Sequence, residues 1–312
     1  MTRNPPRRAR RRWGIIGAGR AAGALSRALG ERARGAGPAV CVWARRVARA
    51  RALGRLPGVT STASLDRLLS GCRTVLLAVE DDALEAMTRR LVQAWPTPGP
   101  DIVLHLAGAR PASALAPIAE RGAGTGVFHP VVALAGPTSA PRLKGATATI
   151  SGDARGLDAA RALCRHLGLV PVEIADEDRP LVHLAAVLAA GDLVALLGLA
   201  EDLLRRAGVP GDAARRLLAS LAQSAVEAME RDGPGAALTG PVVRGDLRTL
   251  AAHEQAARGQ GPEGRRALEI HRLLGLESAR QAARTGRLAP STLRRLRRLF
   301  GGPRLAGPAR RP

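Results

Sequence analysis

The sequence predicts an α/β fold: a doubly wound, mostly parallel sheet followed by an all-α C-terminal domain. Three observations carry this. Short, wholly apolar runs alternate with helical stretches through the first half, as strands buried on both faces require. A glycine-rich turn ends the first run and opens the first helix. From about Arg179 onward no strand pattern remains. At 312 residues the chain can hold one large domain or two of ordinary size.

Residues 13–16 read as a strand and 20–32 as a helix. Residues 40–43 form the second strand, 46–53 a helix, and a brief strand lies near Val59. Ser64, a good N-cap, starts the next helix. Strands follow at 74–79, 102–106 and 126–128, separated by helices at 82–94 and 112–121, with Asp82 as a cap. A last unit, 146–150, 154–167 and 170–174, extends the sheet. Residues 180–206 then read as one long helix with Pro180 at its start. Gly208-Val209-Pro210 ends it, and helices at 211–231, 247–258, 263–283 and 291–300 complete the pattern. The expected organisation is an Arg-rich disordered tail at 1–11, a dinucleotide-binding domain at 12–174, a helical substrate and dimerisation domain at 175–300, and a flexible tail at 301–312. The apolar run 181–200 approaches membrane-spanning length, but it contains His183 and Asp192 and is read as a buried helix.

Gly17-Ala18-Gly19-Arg20-Ala21-Ala22 carries the first chemical signal. Gly17 permits a tight turn, Gly19 a close backbone approach to a pyrophosphate, and Ala22 close packing of helix on strand. The free amides at the helix start face the phosphates. The domain is therefore expected to be Rossmann-type. After the second strand, where an acid would hold the ribose of NAD, stand Arg45 and Arg46. Two guanidiniums suit a 2′-phosphate, so NADP is expected and NAD disfavoured. Val79 and Gly108, at the ends of the fourth and fifth strands, line the same cleft, with His105 a weaker candidate.

Composition excludes other classes. The net charge of +22 sits at the ends: residues 1–55 hold 15 arginines and one acid, residues 280–312 ten arginines and no acid. With aromatics at 2%, there is little to stack on bases, and no specific nucleic-acid partner is expected. Arginine tails that bind polyanions nonspecifically are a separate reading. Three scattered cysteines, Cys41, Cys72 and Cys164, suggest neither a disulfide framework nor a zinc site. No metal centre is expected. Arg11-Arg12 precedes an apolar stretch, but Arg20 and Arg27 interrupt it and no cleavage signal follows, so a cytoplasmic location is expected. Lys144 is the one lysine. Any lysine-dependent mechanism would have to use it.

A second constellation lies downstream: Phe128-His129-Pro130, His183, then Leu238-Thr239-Gly240-Pro241 through Arg244-Gly245-Asp246 to His253. Asp246, Thr249 and His253 share one helical face. His166 and His271 read as surface residues. With these motifs the chain resembles, over roughly residues 12–258, a bacterial family of Rossmann-like proteins with a helical C-terminal domain of unknown function. That family is related to deazaflavin-dependent NADP reductases, pyrroline-5-carboxylate reductases and ketopantoate reductases. The resemblance implies a nicotinamide-binding domain, a helical domain forming the other cleft wall, and a homodimer. Where relatives have Ser-Gly, this chain has Ala107-Gly108; where they have Tyr-His and a later Asn, it has Val182-His183 and Gly191. Lys144 lies too early to match the lysine of ketopantoate reductases.

The reading that follows is an NADP-dependent oxidoreductase acting on a small carbonyl, imine or hydroxyl compound. His183 is the expected general acid. Arg244 is expected to hold an anionic group of the substrate, with Thr239 and Asp246 orienting the site and His129 and His253 as further cleft candidates. The alternative is a non-catalytic NADP-binding regulatory or interaction protein.

Overall fold

The computed structural model describes residues 11–32 and 39–301. The tails expected at 1–11 and 301–312 lie outside them, save one residue each. Chain contacts divide the protein into two compact units, Met1–Ala190 and Gly191–Pro312.

In the first unit the strands are β1 (Arg11–Ile16), β2 (Val40–Trp43), β3 (Val59–Ser61), β4 (Cys72–Leu77), β5 (Ile102–His105), β6 (Gly124–Val131), β7 (Thr147–Gly152) and β8 (Val170–Glu173). Between them run α1 (Arg20–Glu31), α2 (Val47–Leu53), α3 (Leu65–Gly71), α4 (Leu84–Gln93), α5 (Ala116–Ala119) and α6 (Ala154–Leu167). The strand order is β3-β2-β1-β4-β5-β6-β7-β8. Its first six strands follow the order of dinucleotide-binding folds. Each adjacent pair runs parallel except β6 with β7. The reversal has a simple cause. Between β6 and β7 the chain makes only the 3-10 turn Pro137–Leu143, whereas a parallel return needs a full crossover. The mostly parallel α/β sheet read from the sequence is the fold observed.

The apolar strands are buried on both faces. Ile15, Val42, Leu76, Leu104, Phe128 and Ile150 face one core, with residues of α1 and α6. Ile16, Cys41, Val75, Leu77 and Val103 face the other, with residues of α3 and α4. Ser64 caps α3 as expected, its side chain accepting from the Arg67 amide. Asp82 does not act as a cap: it lies within the 3-10 turn Asp81–Ala83, and neither that turn nor α4 has a side-chain cap. The helix expected at 112–121 begins as a 3-10 turn, Ala112–Leu115, before α5. β8 is exposed throughout as the sheet edge.

The long helix is three segments: α7 (Arg179–Val187), a π-helical turn Leu188–Asp192, and α8 (Leu193–Arg206). Gly191, a poor helix former, sits in the π turn. The expectation of a buried helix is overturned. Of the stretch Asp176–Arg206, long and apolar enough to cross a membrane, none of the most apolar window is buried. Leu181, Leu184, Leu188 and Val194 are all exposed. An apolar composition shows that burial is favourable, not that the same chain provides the cover.

After α8 come α9 (Gly211–Asp232), α10 (Pro234–Ala237), α11 (Pro241–Arg244), α12 (Leu247–Arg258), α13 (Gly261–Arg284) and α14 (Pro290–Leu299). They enclose a small core of Val242, Val243, Leu250, Leu276, Leu296 and Phe300. The short α10 and α11 were not legible in the sequence, where Pro and Gly mark only breaks.

Phe128 is fully buried beside Ile150 in the first core. Phe128→Ala is expected to destabilise the sheet unit by about 3–5 kcal/mol, read as a lower urea midpoint. A midpoint unchanged from the parent would contradict this packing.

Candidate functional site

The carboxyl ends of β1, β2 and β4 meet at one point. The Gly17 amide donates to the Trp43 carbonyl (2.8 Å), and the Ala78 amide to the Ile16 carbonyl (2.8 Å). Gly17 takes φ +126°, and a Cβ there would lie 2.1 Å from the Ala78 carbonyl oxygen. Only glycine fits both the conformation and the space. A Cβ at Gly19 would meet nothing within 4 Å, so the backbone there is open to a ligand. α1 has no side-chain cap and no acid in its first turn, leaving its first amides for an anion. Ala22 is fully buried against the core.

Above this point lies a cleft of about 720 Å³. Of the residues singled out in the sequence, Gly17, Ala18, Gly19, Arg45, Arg46 and Val79 line it. Arg20, Ala22 and Gly108 do not: Arg20 is exposed on α1, Ala22 serves packing, and Gly108 adjoins His129 and His183 instead. The cleft also takes Glu80, from the strand-end turn that the sequence placed there, and Trp43, Arg49 and Arg90, which sequence reasoning missed. The Trp43 ring is held by its Nε1 donating to the Ala63 carbonyl (3.1 Å), and the Arg90 guanidinium lies over it at 4.9 Å. Arg49 was legible in principle, one helical turn beyond Arg45 and Arg46. Arg90 was not, because α4 reaches the second strand only through the fold.

Beyond β5 the structure gathers a second group. A Cβ on Gly108 would come 2.4 Å from His183 Cδ2 and 2.9 Å from His129 Nε2 and Cε1. The two imidazoles meet edge to face at 5.9 Å between centroids. Gly108 thus leaves the space that both rings occupy. His129 Nδ1 lies 2.8 Å from the Leu106 carbonyl. A carbonyl only accepts, so Nδ1 carries the proton and Nε2 presents a lone pair. Burial holds His129 below its ordinary pKa, helped by the charges of His183 and Arg179, with the Leu106 bond and the Asp81 carboxylate opposing. It is therefore neutral at pH 7.

His105 is not a cleft residue. It is fully buried, its Nε2 donating to the Pro111 carbonyl (3.0 Å) while Nδ1 has no partner among the described residues. Burial is the main cause that drops its pKa to about 4.

The remaining candidates lie in the second unit. Asp246 caps α12: its Oδ1 accepts from the Thr249 amide (3.1 Å) and its Oδ2 from the Thr249 hydroxyl (2.7 Å). These bonds hold its carboxyl below the usual range. His253 packs edge-on against His271 (5.7 Å), and His271 against Phe300 (5.8 Å). The shared helical face therefore joins Asp246 to Thr249, while His253 turns to another ring. His271, expected at the surface, has a buried, unpartnered Nε2. His166 stacks on Trp13 (6.0 Å). Thr239 and Arg244 are exposed at the two sides of Gly240-Pro241 and the start of the turn at Gly245. Among the described residues no cluster of His, Cys, Asp and Glu could hold a metal ion.

The Rossmann-like domain family matches residues 2–130, and DUF2520, a domain of unknown function, matches residues 146–278. No curated protein matches. Solved structures do. A Bacteroides fragilis protein described as an NADP oxidoreductase is 20% identical, with 87% of this chain and 99% of that one covered at a TM-score of 0.69. Plasmodium falciparum pyrroline carboxylate reductase, with NADP bound, is 11% identical, covering 88% and 98%, TM-score 0.59. A reductive aminase from Aspergillus terreus, with NADPH and ethyl levulinate, is 21% identical, covering 89% and 95%, TM-score 0.59. At these identities the likeness establishes the fold.

Since the His105 pKa is about 4 in the fold and near 6.5 when unfolded, unfolding takes up a proton between those values. Stability is expected to fall as pH drops from about 6.5 to 4. His105→Gln should flatten that part of the ΔG-versus-pH curve from urea denaturation. The carboxylates Asp153 and Asp246 act in the same direction at lower pH, so the comparison with the parent isolates His105.

Proposed function

We propose that this chain, a Rossmann-like domain followed by DUF2520, is an NADP-dependent oxidoreductase that reduces or oxidises a small carbonyl, imine or hydroxyl compound. The observation that carries this reading is the cleft over Gly17–Gly19, open at the phosphate turn and edged by Arg45, Arg46, Arg49 and Arg90. The first amides of α1 suit the pyrophosphate. The guanidiniums suit a 2′-phosphate by charge-assisted bonds, and no acid stands where a ribose hydroxyl would be held. The likeness to an NADP-bound and an NADPH-bound enzyme supports the same cofactor.

Bound NADPH supplies the hydride; the protein orients the partners and manages the proton. His183 is half-buried against His129, and we assign it the proton. His129, neutral and locked with Nδ1–H on Leu106, keeps an acceptor beside it. Arg244 offers a planar fork for an anionic substrate group. Asp246, through its cap on α12, fixes the turn next to Arg244. In this reading residues 12–174 bind the nucleotide, and 175–300 serve substrate binding and dimerisation.

A second copy of the chain is the occupant we assign to the exposed leucines of α7 and its continuation. A bilayer is a poorer match. The same stretch buries Arg179 in the sheet and places His183 against Gly108, so it cannot leave the fold to cross a membrane.

Saturating NADPH is expected to raise the thermal midpoint and NADH to do so far less. At about a hundredfold the Kd the stabilisation is about 2.7 kcal/mol. Replacing Arg45 and Arg46 together by alanine should weaken NADPH by at least about tenfold and leave NADH unchanged. Equal responses to both nucleotides would remove the 2′-phosphate assignment. His183→Asn should lower kcat by about a hundredfold or more in an NADPH-consumption assay over a carbonyl and imine panel. Tight NADPH binding without turnover in the parent would instead favour the non-catalytic binding protein. In light scattering after size exclusion, Leu184→Arg should halve the mass of the parent particle.

A further inference from the structure

The first turn of α7 holds a cation where one is disfavoured. Arg179 is fully buried. It stands at a helix N-terminus, where the helix dipole repels positive charge. Its Nη1 donates to Ser151 Oγ (3.0 Å) and its Nη2, at longer range, to Thr149 Oγ1 (3.4 Å). Ser151 in turn donates to Asp176 Oδ1 (2.6 Å), and Asp176 Oδ2 accepts the Ala112 amide (2.8 Å). One chain of polar contacts, buried at Arg179 and part-buried at Asp176, thus ties α7 to β7, to the turn before α7 and to the turn after β5. Among the described residues Arg179 Nε has no partner. An apolar side chain of similar volume would fill the space without the cost of burying a charge. It could not fix direction, which two bonds to alternate residues of one strand do.

What that direction serves is visible in the register. Thr149 stands opposite His129, and Ser151 opposite Val127, which in turn pairs with His105. Arg179 therefore grips the sheet at the rung that carries His129. His183 lies one helical turn beyond Arg179, on the same face of α7. We propose that Arg179 is a positioning residue: its bonds to Ser151 and Thr149 set the angle at which α7 leaves the sheet and so hold His183 against His129 and Gly108. The proposal rests on the reading of His183 as the proton donor. Its charge also acts on the pair beneath. Burial is the main cause that lowers both His105 and His129, and the guanidinium adds to it, against the opposing carboxylates Asp176 and Asp81.

The test uses the full-length chain labelled at histidine, as Arg179→Met, Arg179→Lys and Ser151→Ala. Circular dichroism establishes folding, and the NADPH thermal shift reports the Gly17–Gly19 cleft, which should be unchanged in all three. Nuclear Overhauser contact between the His129 and His183 rings should be present in the parent, lost in Arg179→Met, weakened in Ser151→Ala and partly kept in Arg179→Lys. With a substrate from the imine panel, kcat should fall by about tenfold to a hundredfold in Arg179→Met, with the KM for NADPH unchanged and partial recovery in Arg179→Lys. If Arg179→Met does not fold, Ser151→Ala, which keeps the charge, decides alone. Intact ring contact in a folded Arg179→Met or in Ser151→Ala would overturn the proposal. A parent that turns over none of the probes would overturn the reductase reading only, because the ring contact needs no substrate.

Discussion

The structure turns on a missing side chain. Three parallel strands, β1, β2 and β4, bring their carboxyl ends to one place, and the chain must leave β1 there without striking β4. Gly17 does this with a positive φ, its amide on the Trp43 carbonyl and no Cβ to strike the Ala78 carbonyl. Any side chain would displace Ala78 and with it the end of the neighbouring strand. The cleft, the open amides of α1 and the approach of Arg45 and Arg46 all depend on those strand ends staying together.

A second dependence runs through the polar face under α7. Hydrophobic burial gives the sheet most of its stability, yet it has no direction. Direction here comes from a few buried or part-buried polar groups: His129 on Leu106, Ser151 on Asp176, Asp176 on the Ala112 amide, and Arg179 on β7. His129 and His183 meet because these bonds set where α7 starts. The same burial lowers the pKa of His105 and of His129 and keeps both neutral at pH 7 beside a permanent cation.

The helical unit shows a different balance. Its own core is small and centred on Leu250, Leu276 and Phe300, and Asp246 is committed to capping α12. Leu217, Leu221, Leu273 and Leu274 remain exposed, as do the leucines of α7. Leaving apolar surface on this scale in water is unfavourable. A helical unit with a modest core can be stable when such a face is covered.

The sequence by itself determined the alternation of strands and helices, the phosphate turn and the all-α second half. These are local: periodicity, a glycine at a turn and the absence of β-branched runs are written in neighbouring residues. It also marked Arg45, Arg46, His129 and His183, because chemistry limits which residue types matter. Tertiary structure decided what those residues meet. Arg90 over Trp43, His183 against Gly108, Arg179 beneath the sheet and His253 on His271 join segments far apart in sequence. The reversal between β6 and β7 and the exposure of the long apolar helix were also decided there. Pairing and burial depend on which surfaces come together in space, and composition records only that a surface is apolar or charged.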